Sequence, residues 1–197
     1  MAYEPSTRML FCDWHMPNFL PEVTLDFDDY FAGIQRTGAE TLIFQAKTAH
    51  GGSFFPTEVG ITNPAMKGDI FGEVCHRTKA LGLEFIAYYN MVLSWDLGRL
   101  HPEWSQIGRD GRPLRMFLYP CQCMSNREFA DYVAEHMAEA TRKYPIDGWF
   151  LDLQYFSPEG CFCPACAQRF ATEYGYELEP DAFGVEQWLD FYAYQVR

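Results

Sequence analysis

Short apolar runs alternate along the chain with longer segments whose apolar positions recur at helical spacing. The first run, Arg8-Met9-Leu10-Phe11-Cys12-Asp13, predicts a strand, and the pattern from about Leu25 to Thr37 predicts a helix with Phe27, Tyr30, Phe31 and Ile34 turned inward. Gly38 closes that helix, where a residue tolerant of the left-handed conformation is favoured. The second run, Thr41-Leu42-Ile43-Phe44-Gln45-Ala46, is almost continuously apolar, as in a strand covered on both faces. A long polar loop is expected from Lys47 to Gly68. A second helix follows over about Asp69 to Leu81, burying Ile70, Phe71, Val74, Cys75 and Thr78, and Gly82 leads into a third strand, Leu83 to Tyr89. Beyond the segment Asn90 to Ser125, a third helix of about Asn126 to Tyr144 carries Phe129, Tyr132, Val133, His136, Met137 and Ala140 on one face and is stopped by Pro145. The fourth strand is Gly148 to Asp152. A short helix near Pro164 to Tyr174 and an amphipathic one of about Val185 to Val196, with Trp188, Leu189 and Tyr192, complete the pattern.

Strand and helix thus alternate, which implies an α/β fold with a parallel sheet. The loops after strands are long and those after helices short. This asymmetry puts the functional face at the strand C-termini, as in a TIM-type (β/α)8 barrel. Four βα units make only the N-terminal (βα)4 half of such a barrel. A whole one takes about 250 residues, so the 197 residues are expected to form one incomplete domain. Open strand edges favour association, with a second copy or with a missing C-terminal half barrel.

Composition narrows the partners. A formal net charge of -12 argues against nucleic acid or an anionic membrane surface, which need clustered Lys and Arg. A neutral carbohydrate fits better, and the 17% aromatic content supplies faces on which a pyranose packs. The N-terminus has no secretory pattern and no run is long enough to span a membrane, so a cytoplasmic location is expected. Seven cysteines, clustered as Cys121/Cys123 and Cys161/Cys163/Cys166, favour reduced metal-binding thiols over a disulfide framework.

Polar groups end every predicted strand. The fourth delivers Asp152, which can serve as the ionised carboxylate of a glycosidase or simply cap the following loop. The second runs into Lys47, Thr48, Ala49 and His50 before Gly51-Gly52, and a cation and an imidazole there suit hydrogen bonding to sugar hydroxyls. The first contributes Asp13 and His15, and the third Tyr88, Tyr89 and Asn90, with Trp95 beyond. Glu58, Asp96 and Glu159 lie on loops of the same face, but no spacing selects a general acid among them. That acid is expected in the missing half.

The segment Phe44-Gln45-Ala46-Lys47-Thr48-Ala49-His50-Gly51-Gly52 resembles the Ala-Lys-His-His-Asp-Gly stretch of the α-L-fucosidase family, and Gly82 to Asn90 with Trp95 is similar to its next strand. Pro145-Ile146-Asp147-Gly148-Trp149-Phe150-Leu151-Asp152 resembles the strand carrying that family's nucleophile. The likeness covers about residues 8 to 155 and implies Asp152 as nucleophile with His50 near the sugar. The chain departs from the pattern in having one His after Lys47 and Leu153 where the fucosidases usually have Gly. Its overall likeness is to a hypothetical glycosyl hydrolase group related to fucosidases and amylase-like barrels.

The run C-x-C-x2-C at Cys161, Cys163 and Cys166, with C-x-C upstream, can supply four thiolates to a tetrahedral zinc, leaving no open position for catalysis. This arrangement is similar to the structural zinc site of family 42 β-galactosidases. That likeness implies Cys161, Cys163 and Cys166 as ligands, with Cys123 preferred over Cys121 as the fourth. The expected protein is therefore a glycoside hydrolase acting on an α-L-fucoside-like or galactoside-like bond, with a structural, non-catalytic zinc. The alternative is a zinc-stabilised carbohydrate-binding or assembly module without catalysis.

Overall fold

The computed structural model describes residues 8–20, 22–154 and 157–195. In chain order the elements are β1 (Met9–Cys12), α1 (Phe27–Thr37), β2 (Thr41–Lys47), β3 (Gly52–Ser53), β4 (Ile61–Thr62), α2 (Ile70–Ala80), β5 (Glu84–Asn90), α3 (Trp95–Leu100), β6 (Arg115–Met116), β7 (Tyr119–Pro120), α4 (Arg127–Lys143), β8 (Gly148–Asp152), α5 (Pro164–Tyr174) and α6 (Val185–Gln195). They fall into two compact units. One holds the residues up to Met91 with Ala134–Asp152, and the other Val92–Val133 with the residues from Leu153 onward. No helix among the described residues is long and apolar enough to cross a membrane.

In the first unit β1, β2, β5 and β8 lie side by side, all parallel. Local signals set the helices between them. Asp26 caps α1 by accepting the N–H groups of Asp28 and Asp29 at 3.1 Å each, and Gly38 ends it at φ 66°. Asp69 caps α2 through the Gly72 N–H at 2.8 Å and also accepts the Tyr144 hydroxyl at 2.7 Å. Leu42, Phe44 and Ala46 of β2 and Phe85 and Ala87 of β5 are buried with Phe31, Ile34, Phe71, Val74 and Cys75 from the helices. This is the parallel α/β arrangement that the alternation predicts.

Three expectations need correction. The segment from Lys47 to Gly68 is not a polar surface loop: β3 runs antiparallel to the end of β2 and β4 parallel to β3, and Phe54 and Phe55 are buried. Apolar residues hidden among Gly, Ser and Thr carry that segment inward. The fourth strand, whose apolar run Trp149-Phe150-Leu151 reads as a buried strand, is not enclosed: β8 pairs only with β5 among the described residues and leaves Phe150 and Leu151 about two-fifths exposed at 42% and 40%. On α6, whose predicted end at Val196 lies outside the described residues, the buried side chains are Phe191, Tyr194 and Gln195, while Leu189 and Tyr192 face outward.

The second unit contains α3, the β6–β7 hairpin, the start of α4, and α5 and α6. Its core gathers Phe170, Phe191 and Tyr194 around buried cysteines. Phe170 stacks on Tyr174 at 4.8 Å between ring centroids and meets Phe191 edge-on at 5.9 Å.

Candidate functional site

At the C-terminal ends of the parallel strands, register places Asn90 of β5 opposite Asp152 of β8. The Tyr88 hydroxyl donates to Asp152 Oδ2 at 2.5 Å. Burial, reinforced by the Asp152 carboxylate, raises the Tyr88 pKa above the ordinary phenol range, so the hydroxyl keeps its proton for that bond. The Tyr88 ring is fixed by Phe11 at 5.2 Å, Phe150 at 5.7 Å and the edge of His15 at 5.8 Å. One carboxylate is thus held at a strand end by a donor that cannot swing.

Beside it lies a second polar group. Asp13 Oδ1 accepts Gln45 Nε2 at 2.8 Å and lies 3.2 Å from His15 Nε2. The Ala49 N–H donates to His15 Nδ1 at 3.3 Å, so Nε2 carries the proton that faces Asp13. Asp13 is open to solvent and His15 is partly so. Asp13, His15 and Asp152 therefore form a partly solvent-accessible polar group over the buried Tyr88 and its aromatic neighbours, with the donors and acceptors that sugar hydroxyls require.

The other residues expected near a sugar are placed differently. Lys47, Tyr89 and Asn90 are buried. Strict alternation from Gln45 would send Lys47 to the same face as Gln45. A register shift between Gln45 and Lys47 pairs Lys47 with Tyr89 and turns it to the helix-packed face instead. There its ammonium donates to the Asn90 carbonyl at 2.9 Å and lies 5.3 Å from the Tyr89 ring centre. Burial pushes the Lys47 pKa down to about 7. Tyr89 is the alternate-face neighbour of Tyr88, and its hydroxyl meets His136 Nδ1 of α4 at 2.9 Å, while Ser53 Oγ lies 3.1 Å from His136 Nε2. Burial first, and then the Lys47 charge, lower the His136 pKa to about 4. His50 packs its ring edge-on against Phe19 at 6.3 Å. In the second unit, Trp95 opens α3, is 47% exposed and stacks beneath the Arg115 guanidinium at 5.6 Å.

Gln45 and His136 belong to these networks although the sequence did not single them out. Period-two alternation is the signal for Gln45, since it puts Gln45, Tyr88 and Asn90 on one face and Tyr89 on the other. His136 gives no such signal, because a His on an apolar helix face reads as core.

Within the second unit the sulfur atoms of Cys123, Cys161, Cys163 and Cys166 all lie within 4.8 Å of one another, and all four residues are buried. Cys123 Sγ is 3.4 Å from Cys166 Sγ and 3.9 Å from Cys161 Sγ. Metal–sulfur bonds of about 2.3 Å in a tetrahedron set ligand sulfurs roughly 3.8 Å apart, so the four fit one metal ion. Cys121 is not in this group. Its thiol points to the Tyr119 carbonyl, 4.0 Å away. Cys163 and Cys166 are brought together because Cys163 caps α5, Pro164 begins it, and one turn separates the pair.

Comparison with known proteins gives the family and the fold. The family described as hypothetical glycosyl hydrolase 6 matches residues 26–153, well over half of the chain. No curated protein sequence matches. Among solved structures, α-L-fucosidase isoenzyme 2 from Paenibacillus thiaminolyticus superposes with a TM-score of 0.77 at 22% identity, over 96% of this chain but 30% of that one. A hypothetical protein from Ruminiclostridium thermocellum gives 0.59 at 15% identity, over 96% of this chain and 90% of that one. A maltogenic α-amylase from Thermotoga neapolitana gives 0.54 at 16% identity, over 77% and 40%. At these identities the likeness is one of fold. The chain spans less than a third of the fucosidase.

Proposed function

We propose that the chain, which belongs to the hypothetical glycosyl hydrolase 6 family, forms the nucleophile-bearing half of a (β/α)8 glycoside hydrolase with Asp152 as the nucleophile. The observation that carries this reading is the Asp152 carboxylate at the end of β8, held by the Tyr88 hydroxyl at 2.5 Å. In this reading the Asp152 carboxylate attacks the anomeric carbon and forms a glycosyl ester. Asp13, with His15 and Gln45, binds sugar hydroxyls on the neighbouring strand end. An α-L-fucoside-like or galactoside-like sugar is the substrate class, by the fucosidase-like fold. A retaining reaction needs a second carboxyl group about 5–5.5 Å from the first, and the later βα units supply it.

The half-barrel reading has its own support. Among the described residues β1 pairs only with β2, and β8 only with β5, so both outer strands have an open edge. On the sheet face opposite the helices, Phe11 and Phe150 flank Tyr88 yet are each 42% exposed, as interior barrel residues are when half the wall is absent. The four-cysteine group suits a zinc ion. It would be held by Cys123, Cys161, Cys163 and Cys166 and would supply cross-linking and no chemistry at the sugar.

The test is kinetic and uses protein that includes the remaining units. Asp152→Asn should fold and lose turnover on a nitrophenyl glycoside by several orders of magnitude. Azide should restore activity to Asp152→Gly and yield a glycosyl azide. Near-normal turnover of Asp152→Asn removes Asp152 from the catalytic role.

A further inference from the structure

The buried Lys47 has an arrangement that a sugar contact does not explain. Its ammonium donates to the Asn90 carbonyl oxygen at 2.9 Å, and the N–H of the next residue, Met91, donates to the Asp152 backbone carbonyl, also at 2.9 Å. The Asn90 carbonyl and the Met91 N–H belong to one rigid peptide plane. A single plane therefore carries a hydrogen bond from the end of β2 on one side and a bond to the end of β8 on the other. Donation into its carbonyl polarises the amide and strengthens the bond that its N–H makes.

We infer that Lys47 is a positioning residue: it latches the Asn90–Met91 peptide and, through that one plane, holds the Asp152 end of β8 in place. The bulge at the end of β2 is what makes this geometry available, because it turns Lys47 onto the face of Tyr89, where the ammonium reaches the carbonyl. The latch is also braced from below. His136 of α4 holds the Tyr89 hydroxyl at 2.9 Å, and Gly60 leaves room for the His136 ring, since a Cβ there would fall 2.5 Å from Nε2. The side chain that a reader of the sequence would aim at the substrate thus acts one layer behind the carboxylate.

The latch is a property of this chain alone. Its effect on turnover rests on the reading of Asp152 given above. The first experiment is amide hydrogen exchange on isotope-labelled protein carrying Lys47→Met, a neutral side chain of similar length. Exchange at Met91 should quicken at least about tenfold, roughly the loss of one hydrogen bond to a charged group, while amides in α1 and α2 keep their protection. Unchanged Met91 exchange in the folded variant overturns the inference.

A second measurement decides the matter if Lys47→Met does not fold. In the unaltered chain the Met91 amide proton shift should move with the same midpoint as the Lys47 side-chain carbon resonances, near the lowered value of about 7. Tyr89 on β5 and His136 on α4 are titratable groups beside Lys47, and the His136 pKa lies well apart, lowered to about 4. A Met91 amide that stays still while Lys47 titrates overturns the latch, since a lysine that merely fills space would not move it. In active protein Lys47→Met should lower kcat roughly tenfold to a hundredfold with little change in KM, as a misplaced nucleophile does. Azide rescue of Asp152→Gly tests the nucleophile without involving Lys47, so the two readings fail separately.

Discussion

Glu139→Gln isolates the largest resolved carboxylate effect in the first unit. Glu139 lies on α4 with a side chain only 6% exposed, and four donors converge on it. They are Thr57 Oγ1 at 2.5 Å, the Glu58 N–H at 2.8 Å, the Val59 N–H at 3.3 Å and Lys143 Nζ at 2.6 Å. Burial alone would raise its pKa. Lys143, Thr57 and the two backbone amides outweigh that and bring it down to about 2 from 4.5. At about 1.4 kcal/mol per unit, ionised Glu139 contributes roughly 3 kcal/mol to folding at pH 7. The sign follows from the lowered value: the contribution is complete above the unfolded pKa near 4.5 and disappears as pH falls through about 2. The amide keeps the shape but loses the charge and turns a donor toward donors, so Glu139→Gln should be destabilised by about 3 kcal/mol at pH 7. The gap should shrink to roughly half near pH 3. Urea unfolding at both pH values measures it, and faster amide exchange at Glu58 and Val59 localises it. A variant within about 0.5 kcal/mol of the parent at pH 7, or a gap that does not narrow on acidification, refutes the account.

Other outcomes follow from the same structure. Phe71→Ala removes a fully buried ring that lies 5.3 Å from Phe85 and 5.2 Å from Tyr144, and urea unfolding should show a loss of roughly 3–5 kcal/mol; a loss below about 1 kcal/mol contradicts the packing. Elemental analysis of the purified chain should find close to one equivalent of zinc, and Cys123→Ser should lower it; less than about a tenth of an equivalent in the parent, with folding indifferent to a chelator, removes the metal reading. Leu153 follows Asp152 at φ 57°, a conformation that costs a non-glycine residue about 1–2 kcal/mol, so Leu153→Gly should raise the unfolding midpoint slightly despite the added chain entropy. A clear drop in the midpoint would show that Leu153 contacts outweigh the backbone strain.

The departure at Leu153 illustrates what family likeness leaves unsaid. Leu153 stands in the left-handed conformation that favours glycine, at the position where the resemblance to the fucosidase pattern leads one to expect Gly. Keeping a leucine there stores strain beside the proposed nucleophile, a place where strained backbone is commonly found. The glycosyl hydrolase family, the α/β class and the gathering of cysteines were all legible in the sequence. Cys161, Cys163 and Cys166 were legible from their spacing on and before α5, whereas Cys123 came from the likeness to family 42 β-galactosidases.

What the sequence by itself determined is what short-range physics controls. Asp26, Gly38 and Asp69 bound the helices because caps act within a turn, and the apolar periods of α1, α2 and α4 select their buried faces without reference to the rest of the chain. The strand of Asp152 is equally local, set by Trp149, Phe150 and Leu151. Only the tertiary structure decided which polar residues meet. A one-residue bulge moved Lys47 from the face of Gln45 to that of Tyr89, and no local pattern announces a bulge. The pairing of β5 with β8 brought Tyr88 to Asp152 across 64 positions of sequence, and α4 brought His136 to Ser53 across 83. Such contacts depend on how strands align and how a helix is pressed against the sheet. Those are properties of the whole packed layer, and no single segment encodes them.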